Sequence, residues 1–460
     1  MSVEFTLRKF GHPLAIARLR AQFERSQWLT AEELVFYQEQ RLREIIRQAY
    51  VQVPYYRRLF RRLKLAPDEI RTLADLRQLP LLTKRDLRAE FDQLCAANRS
   101  SYGSFVAQTS GTDGEPLHFL LDKPSNVLEF VHYWRHWSWM GYRLGMRFAE
   151  LSSAFFLCHA SQIRRNYTFQ HAFGRLLLNS TALSAERVRD YVHAIRKYRP
   201  AFLKGTASSL FCLAVILSET GINDIGFRAI FSTGEMLLPA HRARIESALN
   251  SKVYDSYGHM ERTVAITECP QGGFHIVPEY GIFELLSVAM PDVRTARRSK
   301  IVGTSLYNMS MPLLRYDTGD LAEPLSCSEP CPCGRAAPRI SRIDGRQNDA
   351  IVTPEGNVIA TPYVLLDECR GIMVAQFIQE SAERLLVQVV KGPSYTNTDA
   401  AEFLNAIRDL TGSQMKIEFR YLSYDALRAE NPGKFRAVIS KIDSPFHAAS
   451  DRQGSKELVS

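Results

Sequence analysis

From residue 105 onward, short apolar runs alternate with stretches of helical periodicity, and this alternation constrains the fold more than any other feature of the chain. The runs cover residues 105–108, 149–157, 201–204, 229–232, 252–254 and 282–286, with helical periodicity over residues 184–199 and 239–249 between them. Strands alternating with helices are joined by crossovers, which predicts an α/β architecture with largely parallel sheets. The first 100 residues read instead as helices punctuated by Pro54, Pro67 and Pro80. Beyond residue 349, strands over 375–379, 385–391, 416–421 and 437–442 alternate with one helix over 398–410, the pattern of a small α+β domain. A stretch rich in Cys, Pro and Gly at 327–338 precedes Ile343-Asp344-Gly345-Arg346, read as the linker. The expected organisation is a large N-terminal α/β domain over 1–345, with a helical N-terminal region and mixed sheets. A small C-terminal α+β lid over 346–442 and a polar tail over 443–460 complete it.

Composition removes several alternatives. Of 460 residues, 45% are apolar and 23% charged, close to globular averages, which excludes collagen, coiled coil and wholesale disorder. The longest apolar run, 210–217, is far shorter than the roughly 20 residues that span a bilayer. Arg8, Lys9, Arg18 and Arg20 break up any signal-peptide core, and eight cysteines without an export signal point to free thiols in a reducing cytoplasm. The net charge is +9, and residues 1–90 hold 18 Lys and Arg against 11 Asp and Glu. Arg57, Arg58, Arg61, Arg62 and Lys64 sit at helical spacing among apolar residues, a solvated basic face suited to an acidic partner. No helix-turn-helix, zinc-finger or RNA-binding signature accompanies them, so nucleic acid is not the expected partner.

The chemistry lies downstream of this surface. Thr109-Ser110-Gly111-Thr112-Asp113-Gly114-Glu115-Pro116 follows an apolar run, and interleaved hydroxyls and glycines let backbone approach a polyphosphate closely. It is not a Walker loop, and alone it is equally a hairpin turn. Four further segments follow in order: Phe231-Ser232-Thr233-Gly234-Glu235 with Tyr257-Gly258-His259-Met260-Glu261, Arg315 through Leu321, Gly345 through Asp349, and Pro432-Gly433-Lys434-Phe435-Arg436. With Val53-Pro54-Tyr55-Tyr56, Leu82-Thr83-Lys84 and Cys333-Gly334-Arg335, this set resembles the adenylate-forming ligases over residues 40–442. It is most similar to their phenylacetate–CoA ligase and CapK-like branch.

The resemblance implies ATP-dependent condensation with a carboxylic acid to an acyl-adenylate and pyrophosphate. Transfer then goes to a thiol, of coenzyme A or an acyl carrier protein, or alternatively to an amine; a degenerate nucleotide-binding protein is the rival. Attack of one anion on another needs charge neutralisation. By the resemblance, Glu261 holds Mg²⁺ and Lys434 is the catalytic lysine of the lid. Thr109, Ser110, Gly111, Thr112 and Gly114 cradle the phosphates, and Gly234, Glu235, Tyr257 and Gly258 border the nucleotide. Asp320 accepts from the ribose hydroxyls, Arg346 lies near ribose and phosphate, and Asn348 is the hinge. Three positions depart from the family pattern: Glu115 replaces a basic residue, Met260 a small hydroxyl residue, and Asn348 a charged one.

Two further groups stand out. Cys331 and Cys333, with Cys269 and His275 on another loop, offer four ligands of the type that hold a structural Zn²⁺, with Cys327 competing. The resemblance supports this, since some CapK-like relatives carry zinc there. Trp134, Trp137 and Trp139 fall within six residues, with Val127 and Val131 on the same helix face as Trp134 and Trp137. The resemblance puts this helix, with Lys204 and Ser256, at the acyl pocket, where aromatic walls suit a flat, apolar acid.

Overall fold

The computed structural model describes residues 13–109, 116–159, 162, 164–287, 298–325, 330–346, 350–356, 358–359, 365, 371–392, 395–431 and 435–442. The N-terminal region is helical: α1 (Pro13–Ser26), α2 (Ala31–Gln52), α3 (Pro54–Leu63), α4 (Lys84–Ala89) and α5 (Phe91–Leu94). Local chemistry sets these boundaries. Thr30 and Glu33 close a capping box at the start of α2, and Thr83 and Asp86 close another at α4. Pro54 opens α3, where its missing N–H costs nothing. Leu59 and Phe60 of α3 are buried, whereas Arg57, Arg58, Arg61 and Arg62 are exposed, with Arg58 paired to Glu90 at 2.8 Å.

Strands β1 (Phe105–Gln108) and β2 (His118–Leu121) pair antiparallel as a separate hairpin, Gln108 opposite His118. Helix α6 (Lys123–Ser138) follows. Next come β3 (Phe148–Ser152), α7 (Ala154–Cys158), β4 (Tyr167–Gln170), β5 (Arg175–Asn179) and α8 (Val188–Tyr198). Then β6 (Phe202–Gly205), α9 (Ala207–Glu219), β7 (Ala229–Thr233), α10 (Pro239–Ala248) and β8 (Val253–Gly258) complete the alternating region. The chain continues through β9 (Ala265–Glu268), β10 (Phe274–Ile276), β11 (Gly281–Ser287), β12 (Ser299–Ser305), β13 (Tyr316–Pro324) and β14 (Arg339–Arg346). Among the described residues one twelve-stranded sheet runs in the order β11-β12-β13-β14-β10-β9-β8-β7-β6-β3-β5-β4.

The fold is α/β with a mixed sheet, and the expectation of largely parallel pairing holds for only part of it. Strands β5, β3, β6, β7 and β8 are parallel neighbours, while β8 through β14 and the β4 edge pair antiparallel. The central parallel strands are covered on both faces: β3 and β5 are buried at every position, and β6 and β7 at all but one. Helix α9 is buried almost throughout and belongs with α8 to the largest apolar cluster. No helix among the described residues is long and apolar enough to cross a membrane.

Two local readings need correction. The run 149–157 is a five-residue strand followed by α7, because Ser153 breaks the extended backbone. The segment 343–346, read as a linker, is the end of β14: Asp344 is buried and ion-paired to Arg298 at 3.1 Å and Arg342 at 2.7 Å.

The C-terminal region contains β15 (Ile351–Val352), β16 (Val358–Ile359), β17 (Ile372–Ser381), β18 (Arg384–Lys391), α11 (Asn397–Thr411), β19 (Lys416–Leu422), α12 (Tyr424–Glu430) and β20 (Val438–Ser440). Its main sheet runs β19-β18-β17-β20, with α11 packing Phe403 and Ile407 onto it. The reading of one helix in this region missed α12, which forms part of the contact with the large domain. Leu427 is buried in the α8–α9 cluster, Tyr424 meets Phe211 edge-on at 5.5 Å, and Arg428 donates to Leu183 O at 3.1 Å.

Candidate active site

The parallel strands end on one cavity of about 2000 Å³, lined on its far side by α12 and residues 435–437. Ligands of open α/β sheets bind outside the carboxyl ends of parallel strands, and most of the sequence-predicted residues collect there.

At the β8 end, Tyr257 and Gly258 close the strand, and the turn after them delivers Glu261. Glu261 is buried, accepting from the Tyr316 hydroxyl at 2.7 Å and facing His259 Nδ1 at 3.0 Å. His259 Nε2 lies 3.0 Å from Thr263 Oγ1, which fixes the ring. Burial works to raise the Glu261 pKa, but His259, the Lys84 charge and the Tyr316 hydroxyl outweigh it and bring it to about 2. The result is a buried, ionised carboxylate at the cavity wall, a hard oxygen ligand.

Asp320, on β13, accepts from the Tyr257 hydroxyl at 2.6 Å and faces Arg346, its cross-strand partner on β14, at 3.9 Å. Gly319 turns the backbone at φ 77°, and a Cβ there would lie 3.1 Å from Lys84 Nζ. The glycine thus leaves room for Lys84, which a parallel bridge between Leu82 and Tyr316 carries to the site. Thr109 is engaged in closing the β1–β2 hairpin, its Oγ1 accepting from Leu117 N at 3.1 Å. Ser110, Gly111, Thr112, Gly114 and Glu115 lie outside the described residues, as do Asn348 and Lys434. Gly234 has φ 79°, and Glu235 accepts from Ser208 N at 2.9 Å, capping the start of α9 beside the cavity.

Toward β3 and β5 the cavity becomes aromatic. Trp137 stacks on Phe231 with centroids 4.9 Å apart, and Trp134 and Tyr133 line the same space. Ser256 is buried and donates to Ser232 O at 3.1 Å. Lys204 reaches Glu150 at 3.6 Å. Trp139, by contrast, turns toward the cysteine cluster, its Nε1 donating to Gln27 at 2.9 Å.

Sequence reasoning missed His259, Lys84 and Tyr316 as neighbours of Glu261, although each lies inside or beside a motif it quoted. It also missed Asp255, half-buried on the cavity wall, whose carboxyl desolvation pushes up to about 7, with Glu268 adding to the effect. A carboxyl raised in the folded state adds stability fully below its ordinary value of 3.8 and loses it as pH rises through about 7. Asp255→Asn is therefore expected to gain on wild type by about 2–3 kcal/mol between pH 5 and pH 8. Thermal or urea unfolding at the two pH values measures this; parallel pH curves for both proteins would refute it.

The cysteine cluster is compact. One donor atom from each of Cys269, His275, Cys331 and Cys333 lies within 4.8 Å of every other. Cys269 and Cys331 sulfurs are 3.8 Å apart, and Cys333 Sγ is 3.3 Å from His275 Nε2. Zn–S bonds of about 2.3 Å in a tetrahedron place sulfurs about 3.8 Å apart, so the donor set and its spacing fit zinc. His275 Nδ1 faces Ala337 O at 3.0 Å, leaving Nε2 for a metal. Cys327 lies outside the described residues.

Comparison with known proteins agrees with this fold. The family model of the CapK C-terminal domain matches residues 351–441. Protein CapK of Staphylococcus aureus is 23% identical over 414 residues, covering 88% of this chain and 89% of its own. A phenylacetate-coenzyme A ligase of Thermus thermophilus is 28% identical over 353 residues, covering 72% of this chain and 75% of its own. The crystal structure of 2-hydroxyisobutyryl-CoA ligase in the postadenylation state superposes with a TM-score of 0.68 at 21% identity, covering 94% of both chains. With a carboxylate, tyrosine and aspartate of the expected motifs gathered at one cavity, the chain carries a CapK C-terminal domain and is similar over most of its length to the phenylacetate–CoA ligase and CapK-like branch of the adenylate-forming ligases.

Proposed function

We propose that the protein activates a carboxylic acid with ATP, giving an acyl-adenylate and pyrophosphate, and then passes the acyl group to the thiol of coenzyme A. The observation that carries this reading is the sharing of one cavity by ionised Glu261, the acceptor Asp320 and the aromatic chamber beyond them. The Thermus relative named as a phenylacetate-coenzyme A ligase supports a carboxylic acid as substrate and coenzyme A as acceptor.

In adenylation, a carboxylate oxygen of the acid attacks the α-phosphorus, and the α,β-bridging oxygen leaves with pyrophosphate. Asp320 would take the ribose hydroxyls, replacing the donor it now has in Tyr257, and Arg346 would lie beside them. Glu261, held in place by His259 and Tyr316, would hold Mg²⁺, whose charge offsets that of the phosphates when bound. Lys84 supplies a cation on the same side, in a chain whose phosphate loop has Glu115 where relatives carry a basic residue. Lys434 would neutralise the meeting of carboxylate and α-phosphate. In transfer, the thiolate attacks the acyl carbon and AMP leaves.

A pyrophosphate-release assay over aromatic and aliphatic acids, with and without coenzyme A, tests the reading. Release that depends on the acid and disappears in Lys434→Ala supports it. ATP binding without release for any acid would replace it with a nucleotide-binding role.

A further inference from the structure

Three buried or half-buried charges lie on one face of the parallel sheet, on three adjacent strands. Glu150 of β3 stands directly opposite Lys204 of β6, and Arg175 of β5 lies two residues before Leu177, which is opposite Glu150. Arg175 donates to Glu150 at 3.0 Å, and Lys204 approaches its other oxygen at 3.6 Å. Burial opposes ionisation of Glu150, but the two cations overcome it and lower its pKa, so the triad carries two positive charges and one negative. Charge in the middle of buried strands is costly unless it is matched. Among the described residues Glu150 is the one carboxylate paired with Lys204, and the ammonium is directed along the cavity wall. It lies 5.3 Å from the Tyr133 ring centroid and 5.8 Å from that of Trp137, and is about a quarter exposed.

The triad is also remote from the nucleotide residues. Lys204 is in register with Phe231, and Phe231 with Tyr254, three residues before Tyr257. Two strand spacings across and three residues along put the Lys204 and Tyr257 backbones about 14 Å apart. Glu150 and Arg175 are one and two strands further away. Lys204, Tyr133, Trp137, Tyr257 and Glu261 line one cavity, so an acid reacting beside Tyr257 and Glu261 has room to extend past the Tyr133 and Trp137 rings to Lys204.

Resting on the ligase reading above, we propose that the acid this protein activates carries a second carboxylate at its distal end, which pairs with Lys204 beside the Glu150–Arg175 couple. The aromatic rings bracket the apolar spacer and the excess cationic charge takes the distal group. Monoacids of the same spacer add no second carboxylate, and Lys204 keeps Glu150 alone.

Matched acids test this: phenylacetate against 4-carboxyphenylacetate, and hexanoate against adipate, each assayed for ATP-dependent pyrophosphate release. The wild type should favour the diacid of a pair by at least about tenfold in kcat/KM. Lys204→Met should collapse that ratio, and Lys204→Arg should keep most of it. Because the ratio is measured within one protein preparation, partial misfolding of a variant cancels. Equal rates for both members of each pair in the wild type, or equal loss of both in Lys204→Met, would overturn the proposal and leave the ligase reading standing. No release with any acid by the wild type would overturn the ligase reading itself, and this proposal with it.

Discussion

Glu261→Gln is expected to slow acid-dependent pyrophosphate release by about 10²–10³-fold, since it removes one preorganised charge from a site where charge develops. The substitution keeps the shape of the side chain. Its amide oxygen still accepts from the Tyr316 hydroxyl, so the fold of the turn should survive. What it loses is the negative charge that His259, Tyr316 and the Lys84 field hold ionised in a buried position. The variant should therefore need far more Mg²⁺ to reach its own maximal rate, whereas wild type saturates at lower concentration. Stability carries an independent signature. A carboxyl depressed to about 2 contributes above its ordinary value of 4.5 and loses that contribution as pH falls toward 2, so wild type and variant should converge on acidification. Steady-state rates against Mg²⁺ concentration, corrected for folded fraction, decide the matter. A rate within threefold of wild type at every Mg²⁺ concentration would remove Glu261 from the chemistry.

The parallel half of the sheet was legible because strands in the middle of a covered sheet are mostly apolar, as residues 229–231 and 201–203 are. Strand β8 was read short: beyond Tyr254 it runs through Asp255, Ser256 and Tyr257, polar residues that line the cavity and that an apolar-run search discards. The antiparallel half was underestimated for a related reason. Alternating strands such as β13 and β14 carry polar side chains on one face and lack the continuous apolar signal. Segment 343–346 was misread because Gly345, at φ 79°, looks like a linker glycine. It sits where the β13–β14 register shifts, with Leu321 opposite Gly345 and Ala322 opposite Ile343. A bulge uses glycine for the same backbone freedom that a linker does. Helix α12 escaped because only Leu427 of its seven residues is buried, too little for a periodic signal.

For the site, motifs located Glu261, Tyr257 and Asp320, but no local pattern could tell that Tyr257 donates to a residue 63 positions away. Glu150 and Arg175 were invisible for the opposite reason. Each is one charge in an apolar strand, and its meaning appears only when three strands are laid side by side.

One zinc ion per chain, bound by Cys269, His275, Cys331 and Cys333, is expected on metal analysis, and Cys331→Ser or chelation should lower Tm by about 5–10 °C. The thermodynamic reason is visible in the ligands. Burial pushes the Cys269 thiol up to about 12, with the neighbouring Cys333 and Cys331 adding to the effect, so without a cation it stays protonated at neutral pH. A divalent ion reverses that preference and converts crowded, buried thiols into ligands. The structural reason lies in what the cluster ties together. Cys269 and His275 belong to the β9–β10 hairpin, and Cys331 and Cys333 to the loop entering β14. Arg335, in that same loop, lies over both Trp28 and Trp139, at 4.7 and 4.0 Å from their ring centroids, and donates to Gln27. Releasing the loop should therefore loosen the N-terminal helices and the end of α6 together, with Trp28 and Trp139 fluorescence changing before global unfolding. Cys158→Ser, at an exposed thiol outside the cluster, should leave metal content and Tm unchanged. The expectation fails if metal-replete protein carries no stoichiometric zinc, or if stripping the metal leaves Tm where it was.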